Sequence, residues 1–197
     1  MDFTNFLQTA MNDQTVDGIA NQLGIKNEQA KSAISSALPV LVGALSSNAK
    51  KGDSENIEKA LDRDHDGSIL DNISGFLSGG DFSDGAGILG HILGGGQSNV
   101  ETAVSKSSGL SSAQTAKLLA ILAPIVMGYL GKQKKQGSVA SSGGIGGLLE
   151  GLVGGMVNSK EADTSILDVL LNQGGKSKEG GLMDIGGKIL GGLFGKK

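Results

Sequence analysis

Apolar residues recur along this chain every three or four positions, the spacing that places side chains on one face of an α-helix. Before Lys50 the spacing predicts two short helices, the second ending at Gly24, and a long third helix that Asn27 caps. We therefore predict an all-α fold. The apolar positions that carry this prediction are Phe3, Phe6, Leu7 and Met11, then Val16, Ile19 and Leu23, then Ala30, Ile34, Leu38, Leu41 and Leu45.

The helical pattern occurs twice in the sequence. Residues 16–50 align without a gap on residues 101–135. The chain has only two proline residues, Pro39 and Pro124, and they occupy the same place in the two segments, where each marks a kink or a new helix start. Repetition of this kind indicates internal duplication.

A short acidic motif follows each segment in the same order, since DGSILD at residues 66–71 returns as DTSILD at residues 163–168. We predict two diverged copies of one helical module, residues 1–96 with an acidic loop and residues 97–197 with glycine-rich C-terminal helices. The long helix of the second copy follows a cap at Ser111 or Ser112. Its apolar face is predicted to consist of Leu118, Leu119, Leu122, Val126 and Leu130.

Glycine supplies 34 of the 197 residues, well above its average share of about 7%. Much of it separates short apolar pieces such as GILGHILGGG at 87–96 and IGGLLEGLVGGMV at 145–157. A glycine inside a helix costs about 1 kcal/mol relative to alanine, so these helices must pack against something to be stable. Residues 133–144 are predicted to form a flexible linker.

An acidic loop at residues 62–69, DRDHDGSI, matches the first half of an EF-hand calcium loop. Carboxylates stand at its first, third and fifth positions, and Gly67 at the sixth permits a sharp turn. The twelfth position is Ile73 instead of the usual bidentate Glu, which leaves Asp71 as the nearest replacement. The candidate calcium ligands are Asp62, Asp64, Asp66 and Asp71.

The alternative for the acidic loop is structural. Asp66, and Asp163 in the second copy, would then cap the helices that begin with the letters SILD. In the second copy Thr164 replaces Gly67, so the module as a whole does not require calcium.

Composition argues against several classes of function. The chain has no Cys, which excludes disulfides, zinc ribbons and thiol nucleophiles. Its net charge of −3 disfavours nucleic-acid binding. A helix-turn-helix pattern at residues 15–38 offers only Lys31 as a cation on its second helix, so we expect no nucleic-acid partner.

Catalytic signatures are also missing from the sequence. His65 and His91 stand far apart, with no nucleophile elbow or metalloprotease motif near either. The sequence GGKS at 174–177 lacks the first glycine of a phosphate loop, because that position is Leu170. We predict a protein that is not an enzyme and has no catalytic residues.

The N-terminal residues do not combine a basic segment with an apolar run, and no later run of about 20 apolar residues is present. We therefore expect a cytoplasmic protein. The amphipathic glycine-rich segments that end in Lys196 and Lys197 make a membrane surface the less favoured partner.

The combined motifs resemble those of the bacterial YidB-like family, domain of unknown function 937. The resemblance rests on the proline-centred segments LPVLVGAL (38–45) and APIVMGYL (123–130), the loop DRDHDGSILD (62–71) and the glycine-separated ILG segments. It implies an all-helical fold with a homeodomain-like helical unit and a bacterial source, and it implies no established activity.

The function predicted from these features is a scaffold or protein-interaction module that forms homo-oligomers through its glycine-rich helices. Two alternatives stay open. One is a calcium-responsive binding module that uses the acidic loop, and the other is a membrane-active amphipathic protein that uses the segments after Gly143.

Overall fold

Helices make up the regular structure of this protein in a computed structural model, which describes residues 3–63, 65–137 and 143–158. Besides the α-helices there are a π-helical segment at Ala49–Asp53 and a 3-10 segment at Gly94–Gly96. The predicted all-α class is therefore confirmed. Within the described residues no strand is present. The helices are α1 Phe3–Ala10, α2 Asp13–Leu23, α3 Asn27–Asn48, α4 Ser54–Arg63, α5 Ser68–Asp71, α6 Ile73–Gly79, α7 Ser83–Leu93, α8 Gln97–Ser108, α9 Ser112–Lys135 and α10 Gly144–Asn158.

The two long helices α3 and α9 contact each other and form the centre of the core. Every apolar position predicted for the inner faces of these two helices is buried. Both helices continue through their proline, so neither Pro39 nor Pro124 starts a new helix. Dense packing around both helices outweighs the loss of one backbone hydrogen bond at each proline.

Two helix ends lie at residues that the local sequence predicts. Gly24 ends α2 in the left-handed conformation, with φ of 65°, as predicted. Ser111 caps α9 in a reciprocal arrangement with Gln114.

The predicted cap at Asn27 is wrong, because Lys26 occupies the N-cap of α3 and Asn27 is its first helical residue. The Asn27 side chain instead donates a hydrogen bond to the carboxylate of Asp17 on α2. Because its amide group bonds to Asp17, the Asn27 side chain does not cap the backbone of α3.

Helix α10 packs against α1, α3 and α4. Its backbone is held at the start by Glu58, whose carboxylate accepts from the Ile145 N–H at 3.3 Å. Lys50 pairs with Glu150 at 3.2 Å further along. The buried residues of α10 are Ile145, Leu148, Leu149, Leu152 and Met156.

Residues 133–135 belong to α9, so the predicted linker starts too early. Its middle part, 138–142, lies outside the described residues. Two helical stretches, Asn27–Arg63 and Ser112–Lys135, are long and apolar enough to cross a membrane by length and composition. Most of each apolar window is buried inside the protein, as in the core helices of a folded domain.

Candidate functional site

The acidic loop lies against the C-terminal end of α9. Helix α4 leads into the loop and fixes its position, because Ile57 and Leu61 anchor this helix in the core. The loop then turns at Gly67, whose φ of 97° suits glycine, and enters the short helix α5. Contacts of α4 and α5 with α9 hold both sides of the loop.

Glycines on α9 make room for the loop backbone. A Cβ atom at Gly131 would overlap the His65 carbonyl oxygen, and one at Gly128 would overlap the Ile69 side chain. A Cβ atom at Gly67 itself would lie 2.8 Å from the Lys132 Cβ atom. The loop and the helix therefore approach so closely that only glycine fits at these three places.

Three of the four predicted calcium ligands each contact a different lysine of α9. The Asp62 carboxylate pairs with Lys134 at 2.8 Å, and Asp66 with Lys135 at 2.8 Å. A third pair joins Asp71 to Lys132 at 3.1 Å. These lysines also stand where positive charge interacts favourably with the helix C-terminus.

Calcium binding by the acidic loop stays a prediction. Asp64 lies outside the described residues, and among the residues that are described no three His, Asp or Glu side chains form a group that could hold a metal ion. A cation at this loop would compete with the three lysine partners for the carboxylates. The sequence identified the acidic residues, while the structure identifies the lysines that face them.

Asp66 also acts on the start of α5. Its Oδ1 atom accepts a hydrogen bond from the Ser68 N–H at 3.0 Å, although Gly67 occupies the N-cap position itself. The hydrogen bond from Lys135, followed by that from the Ser68 backbone, holds the pKa of the Asp66 carboxyl far below its ordinary value of 3.8. Asp66 therefore bonds to the first residue of α5 without being its N-cap, so the predicted cap at Asp66 is displaced by one residue, and Asp163 lies outside the described residues.

We expect Asp66→Asn to destabilise the protein at neutral pH and to have less effect in acid. A carboxylate whose pKa is depressed in the folded state contributes stability above its unfolded pKa, and this contribution is lost as the pH falls below about 3.8 towards the folded value. Urea unfolding at pH 7 and at pH 3 measures the difference between the variant and the wild type.

Lys135→Gln is the matched partner for this experiment. If the ion pair carries the effect, the double variant loses less stability at pH 7 than the sum of the single variants. An Asp66→Asn difference of the same size at both pH values would contradict the assignment.

The other glycines of the described helices include two contrasting groups. The first group allows close packing between helices of the same chain. Gly85 on α7 is an example, because a Cβ atom there would overlap the Ala120 carbonyl oxygen of α9. The other group is open, with no atom within 4 Å of a Cβ atom. The open glycines at exposed helical positions of α7 and α10 are Gly87, Gly90, Gly151 and Gly154.

A family model described as a bacterial protein of unknown function (DUF937) matches residues 5–133 and 137–197. The match spans nearly the whole chain and confirms the resemblance seen in its motifs. No curated protein and no solved structure matches the chain. The family description supplies no activity.

Proposed function

Because this chain belongs to DUF937, a family of bacterial proteins of unknown function, we propose its role from the structure: a non-enzymatic cytoplasmic scaffold that self-associates through two glycine faces. The first glycine face consists of Gly87 and Gly90 on α7. The second consists of Gly151 and Gly154 on α10. The observation that carries the proposal is that all four glycines are exposed, helical and without an atom near their Cβ positions.

Both helices use their opposite side for the core. In α7, Leu89 and Ile92 are buried, and the neighbouring Gly85 fits under the α9 backbone. In α10, Leu149 and Leu152 are fully buried against the protein. The inner face therefore already explains why each segment is apolar, and it leaves the outer glycines unexplained.

An exposed glycine within a helix costs about 1 kcal/mol relative to alanine. Four such positions lower the stability of a single chain, and alanine would fit at each of them without any steric conflict. Glycine is advantageous there if another backbone approaches the helix closely, as it does inside this protein at Gly85 and Gly131. A second copy of the chain supplies such a surface, and the small net charge of −3 opposes its approach only weakly.

The expected result is a concentration-dependent oligomer for the wild-type protein. The double variants Gly87→Ala/Gly90→Ala and Gly151→Ala/Gly154→Ala are expected to shift the solution mass towards the monomer, because each added methyl group keeps two backbones apart. At dilutions where the chain is monomeric, the same variants are expected to be more stable by about 1 kcal/mol per position. Size-exclusion chromatography with light scattering and thermal unfolding measure the two effects.

Gly79→Ala is the matched control. Gly79 is also exposed, helical and open, and it lies on α6, outside both glycine faces. We expect this variant to leave association unchanged. A wild-type protein that stays monomeric at every concentration, or an oligomer that both double variants leave intact, would overturn the proposal.

We further propose that the scaffold consists of two diverged copies of a homeodomain-like module. Helices α2 and α8 both end at a left-handed glycine, Gly24 with φ of 65° and Gly109 with φ of 70°. Each is followed by a long helix with an internal proline. Buried residues of both halves belong to one hydrophobic cluster, as expected for two copies that pack against each other.

The membrane-active alternative rests on the segments after Gly143. Within the described part of this region, the apolar side of α10 is buried against α1, α3 and α4. Insertion of α10 into a membrane would therefore require that helix to leave the core. The remaining segments, 159–197, lie outside the described residues, and membrane binding through them stays a prediction.

A further inference from the structure

Both histidines of the chain line a single cavity of about 440 Å³. His65 comes from the acidic loop and His91 from the end of α7, so the sequence separates two residues that the fold brings to one place. The size lies within the range of about 300–1,000 Å³ that is typical of small-molecule sites. The cavity is independent of the glycine faces, since no open glycine lines it.

The inner wall of the cavity is apolar. Leu45 of α3, Ile57 of α4 and Ile92 of α7 are buried there, and Met127 of α9 adds a flexible thioether side chain. Half-buried Ile88 and Ala60 extend the same wall towards solvent. Such a wall favours the apolar body of a ligand.

The outer part of the cavity is polar and offers hydrogen-bond donors and positive charge. Arg63 provides a guanidinium group close in sequence to His65. The Nδ1 atom of His65 lies 3.2 Å from the Ala60 carbonyl oxygen, which can only accept, so Nδ1 donates there and Nε2 of the neutral ring is left as an acceptor. Asp53 is the acidic residue of the lining, and it accepts a hydrogen bond from the Asn56 amide at 2.7 Å.

We propose that this cavity binds a small amphiphilic carboxylate, with its hydrocarbon part on the apolar wall and its carboxylate beside Arg63. A guanidinium group matches a carboxylate in charge and geometry. The Asn48 side chain fixes one side of the site, because it donates to the Ile92 carbonyl oxygen at 2.8 Å and so ties α3 to α7. The wall is thus held in shape by contacts between helices.

Decanoate, used below its micelle-forming concentration, is the probe that tests the site. The chain has two histidines, which give two ring Hε1 signals in a proton NMR spectrum, and His91→Gln assigns them. Since both histidines are lining residues of the cavity, saturable binding is expected to shift both signals. Decanol has the same hydrocarbon part without the charge and is expected to bind about tenfold more weakly.

Two variants and one control complete the test. Ala60→Leu fills the cavity and is expected to abolish the shifts, while Arg63→Gln is expected to weaken decanoate binding about tenfold. Lys59→Gln removes the same charge from a neighbouring position that does not line the cavity, and it is expected to bind like the wild type. Circular dichroism checks that each variant is folded.

Several outcomes would overturn the proposal. Unshifted histidine signals at millimolar decanoate would show that the cavity does not bind this class of ligand. Equal affinity for decanoate and decanol would remove the role of the carboxylate. Shifts that persist in folded Ala60→Leu would place the binding elsewhere.

Discussion

Gly85→Ala is expected to lower the free energy of unfolding by roughly 1–3 kcal/mol, the range observed for overpacked cores. Gly85 faces α9, and the new methyl group would overlap the Ala120 carbonyl oxygen. A backbone atom cannot rotate away as the end of a side chain can, so α7 has to move outward. This movement would loosen the burial of Leu89 and Ile92, which pack on the same side of α7.

Gly87→Ala, two residues further along α7, is the control for this substitution. Its Cβ atom would meet nothing within 4 Å, and so we expect the free energy of unfolding to rise by about 1 kcal/mol. Both variants are measured by urea unfolding at a concentration where the chain is monomeric. If Gly85→Ala were as stable as Gly87→Ala, the close contact between α7 and α9 would be contradicted.

Phe6→Ala is expected to lower the free energy of unfolding by about 3–5 kcal/mol. Phe6 is only 1% exposed, and its ring centroid lies 4.5 Å from that of Tyr129 on α9. The substitution removes a large buried side chain and one partner of an aromatic pair, which contributes a further 0.5–1.5 kcal/mol or so beyond area burial. Because α1 is a helix of eight residues, we expect its docking to depend on this one anchor.

Phe6→Leu separates the two contributions to this effect. Leucine keeps much of the apolar volume and loses the ring, so we expect a smaller loss, of about 1–2 kcal/mol. Urea unfolding measures the stability of both variants. Amide hydrogen exchange in α1 then shows whether the first helix alone opens in Phe6→Ala or the whole fold weakens. A loss below 1 kcal/mol for Phe6→Ala would contradict the anchoring role.

The sequence alone determined the helical character of the protein and the inner faces of its long helices. Leu38 and Leu122 were assigned to the core from spacing alone, because the periodicity of a helix is local and repeats in the chain. Gly24 was recognised as the end of a helix for the same reason, and the start of α9 was narrowed to Ser111 or Ser112, since a cap involves only residues within a few positions. The motifs also identified the family.

The tertiary structure decided how those helices are used. Gly85 and Gly87 look alike in the sequence, yet one lies under a backbone carbonyl and the other faces solvent. Asn27 is a residue type that often caps helices, but its side chain donates a hydrogen bond to Asp17 on another helix. The environment of each of these residues depends on which distant segments pack together, and a local sequence pattern does not contain that information.

The candidate sites follow the same division. The carboxylates of the acidic loop were visible in the sequence, while their pairing with Lys132, Lys134 and Lys135 depends on α9 passing beside the loop. The meeting of His65 and His91 at one cavity likewise depends on how α4, α7 and α9 pack. The chemical character of each residue can be identified from the sequence. Which charged groups become neighbours and where cavities form depends on the packing of the whole core, because burial of apolar surface selects that packing.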